Sequence, residues 1–330
     1  MKVLVIGVGS IGARHVRNLA SLGHEVHAFD INEENLRGVA DLVKGSYTSL
    51  EAALKSKPEA AFICNYSNGH IAPALACAQA GCHLFIEKPL SLNMNGVDEL
   101  IGEAAKRRLI TLVGCNMRFH PALAYIHDVV QNDPDHRRPL WADFEFGYYL
   151  PFAKKNYRSN YMANRSMGGN ILFDMIHEID SAAWFFGDAD EVFCEKKILS
   201  SDLKLDTGDA VDLIVKFRSG VRCAIHMDYL QHGYSRRCKV VSEQATIFWD
   251  FVLGKIGWIG VNNRDWAWKD LPLDIYYNEM YIDEIKYFFG CIASGEQTFN
   301  SLSRAKEVLK IALAAERSSQ SKIWEKISGG

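Results

Sequence analysis

The sequence has no run of 18 consecutive apolar residues, which excludes a transmembrane helix of ordinary length. It has no large excess of either charge: 37 Lys and Arg stand against 40 Asp and Glu, a net charge of −3. Its longest basic run is the triplet Lys106-Arg107-Arg108, far short of the basic stripe of a nucleic-acid binder, so no nucleic acid is expected as partner. None of the eight cysteines forms a C-x-x-C pair, and no histidine stands in an H-E-x-x-H spacing. Neither a dithiol centre nor a metal site is therefore expected. The cysteines sit mostly in apolar stretches and read as small buried hydrophobes in a reducing compartment. The N-terminus, MKVLVIGVGSIGARH, reaches Arg14 and His15 before the apolar stretch of a signal peptide is complete. A cytoplasmic protein with no membrane partner is the expectation.

What is present is ordinary globular composition, 48% hydrophobic and 23% charged, over 330 residues. At roughly 150 residues per domain that length predicts two domains. Up to residue 118 the chain alternates strands (3–7, 25–30, 60–65, 83–87, 110–115) with helices (10–22, 33–43, 49–56, 69–80, 94–108). Short continuous apolar strands alternating with helices predict an α/β fold with a doubly wound parallel sheet. Beyond that point helices are predicted at 121–130 and 170–186 and a strand at 141–150. Six strands follow (192–199, 210–217, 221–230, 238–241, 246–251, 256–261), then helices at 279–294 and 303–318. Hairpin-linked strands predict an antiparallel or mixed sheet. The domains are read as 1–118 and 119–330.

Gly7-Val-Gly9-Ser10-Ile11-Gly12 is a G-x-G-x-x-G that follows the first strand and opens the first helix, the context that makes the pattern specific for a dinucleotide. Gly7 permits the turn, Gly9 admits a pyrophosphate, and Gly12 lets helix and strand pack closely. Amides at the helix N-terminus then face phosphate. Asp30, 18 residues after Gly12, ends the second strand, where a carboxylate accepts hydrogen bonds from a ribose diol. It also repels a 2′-phosphate: two unit charges ~4 Å apart at an effective dielectric of ~20 interact by ~4 kcal/mol. NAD is expected over NADP. Asp30 also reads as a cap of the helix that begins at Glu33.

At the carboxyl end of the strand at 83–87 stands Glu87-Lys88-Pro89, and further on come Gly168-Gly169 and His177. These motifs, in this order after the glycine loop, resemble the Gfo/Idh/MocA family of NAD(P)-dependent oxidoreductases over essentially the whole chain. The resemblance implies a Rossmann domain followed by an α/β domain with a large open, mostly antiparallel sheet, whose exposed face joins copies into homodimers or homotetramers. It implies a sugar-type substrate, places Lys88 at the nicotinamide and the reacting hydroxyl, and makes the bond before Pro89 cis. The implied cofactor set is Gly7, Gly9, Ser10, Ile11, Gly12, Asp30, Asn65, His70, Glu87 and Lys88, with His70 close to the dinucleotide.

The stretch Gly168-Gly-Asn-Ile-Leu-Phe-Asp174-Met-Ile-His177-Glu178 carries the implied catalytic histidine. The family pattern sets an aspartate four residues before it, a position held here by Phe173. Asp174 stands three before, and in a continuous helix it lies ~60° around the axis from His177, on the same face. The Asp-x-x-His-Glu form, with Asn116-Met-Arg118-Phe-His-Pro121, Tyr157-Arg158 and Asp228-Tyr-Leu-Gln231, resembles a branch common near bacterial surface-sugar genes. An imidazole near its ordinary pKa of ~6.5 is poised to take the proton of an alcohol. An ammonium such as that of Lys88 stabilises the negative charge developing on the oxygen. Asp174 orients His177 or binds substrate.

Asn116, Arg118, Tyr157 and Arg158 are candidate substrate contacts, although the segment holding Tyr157, Arg158, Tyr161 and Arg165 reads equally as an arm at a subunit contact. Trp249, Trp258, Trp266 and Trp268 read as sheet core, sheet face or interface. The pattern assigns His120 no role. The expected activity is an NAD-dependent dehydrogenase of a sugar, an amino sugar or nucleotide-activated sugar of surface polysaccharide. The alternatives are a free inositol or aldose dehydrogenase and a non-catalytic NAD- and sugar-binding regulator.

Overall fold

A computed structural model of the chain describes residues 1–133, 138–271 and 276–327. The chain divides into two compact units, Met1–Asn116 with Asn278–Leu309, and Met117–Tyr277 with Lys310–Gly330.

In the first unit, β1 (Lys2–Ile6), β2 (Glu25–Phe29), β3 (Gly45–Tyr47), β4 (Ala60–Ile63), β5 (His83–Glu87) and β6 (Thr111–Gly114) form a sheet in the order β3-β2-β1-β4-β5-β6. Every pairing in it is parallel. Five helices connect these strands: α1 (Ser10–Ser21), α2 (Glu33–Arg37), α3 (Leu50–Leu54), α4 (Ile71–Gln79) and α5 (Val97–Lys106). The apolar runs that marked the strands are the buried ones: Val3, Leu4 and Val5, and Ala60 through Ile63, are all fully buried.

Phe62 of β4 stacks on Phe85 of β5 at 4.4 Å, and Phe288 meets both edge-on at 5.8 and 5.9 Å. Phe288 belongs to α10 (Tyr276–Ser294), which adds Ile285 and Cys291 to the same core. Residues 278–309 thus group with the first unit, whereas the sequence reading takes 119–330 as one domain. The segment after α10 also covers β6. Thr298 donates to the Thr111 carbonyl at 2.6 Å, and Asn300 exchanges bonds with Val113. An otherwise open strand edge is thereby paired.

The second unit contains α6 (Pro121–Asn132), β7 (Pro139–Gly147), α7 (Leu150–Ala153), α8 (Ile171–Asp174) and α9 (His177–Phe186). It continues with β8 (Ala189–Lys197), β9 (Ala210–Phe217), β10 (Arg222–Asp228), β11 (Ser235–Ser242), β12 (Ala245–Asp250), β13 (Lys255–Gly260) and β14 (Ala267–Asp270). It closes with α11 (Leu302–Ser321) from Lys310 onward and with β15 (Glu325–Lys326). Among the described residues nine strands form one sheet in the order β14-β13-β12-β11-β7-β10-β9-β8-β15. Only the β7–β10 pairing is parallel.

One face of this sheet is a row of buried side chains, Cys194, Leu213, Ile225, Phe144, Cys238 and Trp249, aligned by register. The other face carries an equally aligned row of charges: Asp212, His226, Glu145, Arg237, Asp250, Lys255 and Asp270. Cross-strand pairs of opposite sign stabilise a sheet face. Trp266 and Trp268 are exposed, while Trp249 is buried in the core.

Three expectations are corrected. The helix predicted at 33–43 ends at Arg37, and β3 follows it. The helix predicted at 170–186 is broken between Asp174 and His177, since Met175 leaves helical geometry with ψ 29°. The strand predicted at 141–150 ends at Gly147.

His226 lies between Asp212, 2.7 Å from Nδ1, and Asp228, 2.9 Å from Nε2. Bonding to Asp228, with Asp212 adding to it, pushes this imidazole up to about 9 against its partial burial. Its folded-state value exceeds that of an unfolded histidine, ~6.5. Its contribution to stability is therefore complete below pH ~6.5 and lost as pH rises through about 9. His226→Gln is expected to lower the melting temperature at pH 6 and to melt with the wild type by pH 10. Thermal melts across that range check it, and a gap that does not narrow with pH refutes it.

Candidate functional site

In the first unit the site is built on backbone. Gly7 follows β1 with φ +81°, and a Cβ there would lie 2.6 Å from the Asn65 main chain. A Cβ on Gly12 would lie 1.8 Å from the Gly7 carbonyl oxygen, so α1 and β1 touch backbone to backbone. Gly9 precedes α1 without a side-chain cap, and the direction in which its Cβ would point is open. The first turn of α1, starting at Ser10 and Ile11, thus presents amides that no capping side chain covers.

Asp30 is buried just after β2. Its Oδ2 accepts the Val8 amide at 2.8 Å and the Asn35 side chain at 3.1 Å, and its Oδ1 accepts the Asn32 amide at 2.8 Å. The cap of α2 is Asn32, which accepts the Glu34 amide, and not Asp30. Asp30 instead ties the glycine loop to the end of β2. Asn65, after β4, has a buried side-chain oxygen with no partner among the described residues. A cradle that excludes side chains, an uncapped helix start, a carboxylate at the end of β2 and an orphaned acceptor fit a bound dinucleotide.

At the end of β5, the bond between Lys88 and Pro89 is cis. Glu87 is buried, and its Oε2 accepts the Lys88 amide at 3.2 Å. Lys88 is half-buried. His70, fully enclosed before α4, has its two ring nitrogens 2.9 Å from the carbonyl oxygens of Pro89 and Asn65.

In the second unit the break between α8 and α9 sets Asp174 at the end of one helix and His177 at the start of the next. The Asp174 carboxylate is clasped by two phenols: Tyr161 donates to Oδ1 at 2.6 Å and Tyr229 to Oδ2 at 2.8 Å. Tyr229 is fully buried, and burial, followed by the adjacent Asp174 charge, pushes its hydroxyl well above the usual phenol range. Phe173 is buried.

Two buried ion pairs hold α9. Arg118 makes a bidentate pair with Asp180 at 2.7 and 2.8 Å, and Arg236 pairs with Glu178 at 2.6 Å. The Arg118 guanidinium is therefore committed to α9. His120 caps α6 by accepting the Ala122 amide, and burial lowers its pKa to about 4.

The structure brings Tyr161 to Asp174 but leaves its neighbours apart from it. Tyr157 is buried, and Arg158 is exposed, donating to the Tyr157 hydroxyl at 3.2 Å and the Asp202 carbonyl at 3.3 Å. Asn116 is buried in a 3₁₀ turn after β6. Sequence reasoning missed Tyr229 as a partner of Asp174. Its signal was the Asp228-Tyr-Leu-Gln231 stretch, which marks the residue without naming its contact.

The two glycines make opposite predictions. Gly12→Ala collides with the Gly7 carbonyl and is expected to cost several kcal/mol, about 3 or more, and to lose the fold's cooperative melt. Gly9→Ala meets no protein atom and is expected to change stability by under about 1 kcal/mol while abolishing NADH binding. Urea melts and NADH fluorescence titrations check both, and undiminished NADH affinity in Gly9→Ala refutes the assignment of this loop.

Comparison with known proteins agrees with this architecture. Residues 1–115 match the family model described as "Oxidoreductase family, NAD-binding Rossmann fold", and residues 138–248 match "GFO/IDH/MocA C-terminal domain". The chain is 28% identical over 336 residues to a myo-inositol 2-dehydrogenase of Thermotoga maritima, covering 98% of this chain and 97% of that protein. It is 31% identical over 182 residues to a UDP-N-acetylglucosamine 3-dehydrogenase of Acidithiobacillus ferrooxidans, covering 54% of this chain and 52% of that protein. A crystal structure of a probable dehydrogenase from Thermotoga maritima superposes with a TM-score of 0.82 at 27% identity, covering 99% of each chain. With both halves of one family's architecture matched in chain order over well more than half its length, the chain belongs to the GFO/IDH/MocA family of NAD-binding oxidoreductases.

Proposed function

We propose that this oxidoreductase transfers a hydride between NAD and a secondary alcohol carbon of a sugar, with an amino sugar or nucleotide-activated sugar of surface polysaccharide as its substrate. The observation that carries the reading is the Asp174 carboxylate, held by two phenols three residues before His177. Bound NAD supplies the hydride acceptor. Residues Gly7 to Gly12, Asp30, Asn65 and Glu87 serve its binding. Asp30, already a buried acceptor of two main-chain amides, disfavours the 2′-phosphate of NADP. Lys88 donates a hydrogen bond to the reacting oxygen and steadies its developing charge. His177 takes the hydroxyl proton. Asp174, held by the two phenols, orients His177 or binds substrate.

The nucleotide-sugar reading is supported by the relative named UDP-N-acetylglucosamine 3-dehydrogenase and by the exposed guanidinium of Arg158, a group suited to a diphosphate. A free cyclitol is the second reading, favoured by the full-length similarity to a protein named myo-inositol 2-dehydrogenase. Asn116, Arg118 and Tyr157 are then supports of the substrate region, with Arg118 acting through α9.

Reduced-nicotinamide absorbance with NAD and NADP against inositols, free sugars and UDP-linked sugars tests this. Turnover with NAD on a UDP-sugar is expected, falling by about 100-fold or more in both Lys88→Ala and His177→Ala. Turnover on inositol alone selects the second reading, and a preference for NADP overturns the role of Asp30.

The charged face of the nine-stranded sheet also exposes Trp141, Ile214 and Trp268, which supports association of copies through that face. Light scattering is expected to give two or four times the chain mass of 37.1 kDa. A monomer refutes it.

A further inference from the structure

Two buried histidines converge on the turn that carries Lys88. His70 lies after β4 and is 1% exposed. Its Nδ1 is 2.9 Å from the Pro89 carbonyl oxygen, and its Nε2 is 2.9 Å from the Asn65 carbonyl oxygen. Carbonyl oxygens only accept. The neutral ring donates to one of them and faces the other with its lone pair, while the protonated ring donates to both. In either state both ring nitrogens are directed at main-chain carbonyls. Burial pulls this ring toward its neutral form, with the two carbonyls and Glu87 opposing.

His15 reaches the same turn through the Glu87 carboxylate. It is fully buried on α1, one helical turn after Gly12, among the rings of Phe62, Phe85 and Tyr281. Its Nδ1 has no partner among the described residues, and its Nε2 donates to Glu87 Oε1 at 2.6 Å. The second oxygen of Glu87 accepts the Lys88 amide at 3.2 Å. The turn is thus held at the Pro89 carbonyl by His70 and at the Glu87 carboxylate by His15, and Glu87 in turn holds the Lys88 amide.

We propose that His70 and His15 are positioning residues for Lys88, holding the Glu87–Pro89 turn at the Pro89 carbonyl and the Glu87 carboxylate and contacting neither cofactor nor substrate. This rests on the reading of Lys88 as the residue that binds the reacting oxygen, and it assigns His70 a different task from the cofactor contact that family resemblance implies. A lysine on a long flexible stem is only as well placed as the backbone beneath it, and a 1 Å error in a reacting group costs about 100-fold in rate.

The test uses the full-length enzyme with His70→Leu, His70→Gln, His15→Leu and His15→Gln, each alone and combined with Lys88→Ala. The glutamine variants keep one donor at each site and carry the comparison if a leucine variant does not fold. Three quantities are read: kcat, the NADH dissociation constant from fluorescence, and the NMR resonance of ¹³C-dimethylated Lys88, assigned through Lys88→Arg. For the leucine variants kcat is expected to fall about 10- to 100-fold, with the NADH constant rising by no more than about 5-fold through Asn65 and Glu87. The Lys88 resonance is expected to shift, and glutamine to restore most of each effect. In the Lys88→Ala background the same changes are expected to cost less than about 3-fold, because the residue they position is gone.

NADH affinity that falls in step with kcat overturns the proposal in favour of direct cofactor contact. Full additivity with Lys88→Ala, or an unmoved Lys88 resonance, overturns it in favour of general structural support. If the wild type binds NADH but turns over no sugar, the dehydrogenase reading fails separately. The Lys88 resonance and NADH affinity then decide the positioning role without any turnover.

Discussion

The first unit is organised around the contact between Gly12 and the carbonyl of Gly7, where helix meets strand with no side chain between. That approach lets α1 lie low over the sheet, and the consequences run along the helix at its own period. One turn after Gly12, His15 faces the sheet and reaches β5, where it meets Glu87. At the other end of the loop the Val8 amide is taken by Asp30, so β2 also grips the loop. A side chain at residue 12 would lift α1 and disturb all of these contacts together. The glycine loop is therefore the point from which the carboxyl ends of β1, β2 and β5 are aligned.

The second unit uses charge where the first uses backbone. Glu178 and Asp180, in the first turn of α9, are buried and paired with Arg236 and Arg118. Acidic groups there suit the positive end of the helix dipole. Burying four charges is costly, and apolar residues of equal size often give similar stability. What the ion pairs add is direction. A bidentate guanidinium–carboxylate pair has one good geometry, so α9 is fixed in rotation and height about its axis. His177 begins that helix, and the accuracy of its placement follows from these pairs. Asp174 lies outside the helix and is held separately, by Tyr161 and Tyr229.

What the sequence made legible follows from range. Five of the six parallel strands of the first sheet were readable because each is a run with a buried interior, and the glycine motif because its roles are local to six residues. β3, β14 and β15 were not readable. They are 3, 4 and 2 residues long and lack buried interiors, so no periodicity develops. The break in the 170–186 region was hidden because its apolar pattern, Ile171 to Phe173 and Met175 to Ile176, passes through the break without interruption. Tyr229 is 55 residues from Asp174, and Arg236 is 58 from Glu178. Local pattern carries no sign of such pairings. The return of α10 to the first unit was invisible for the same reason: an apolar stripe shows that a helix packs, but not on which sheet.

The position of the aspartate before His177 illustrates how a motif bends to its surroundings. The family pattern would put the carboxylate at 173, but here residue 173 is a buried phenylalanine within a cluster of buried neighbours, Ile171, Leu172, Met175 and Ile176. A carboxylate there would be desolvated without the two phenols that residue 174 enjoys. The departure of Met175 from helical geometry removes the strict register that a continuous helix would impose between residues 173, 174 and 177. With that register relaxed, spacing of three or four to the histidine is no longer what decides the carboxylate's usefulness. The hydroxyls that hold it decide, and in this chain both are directed at Asp174.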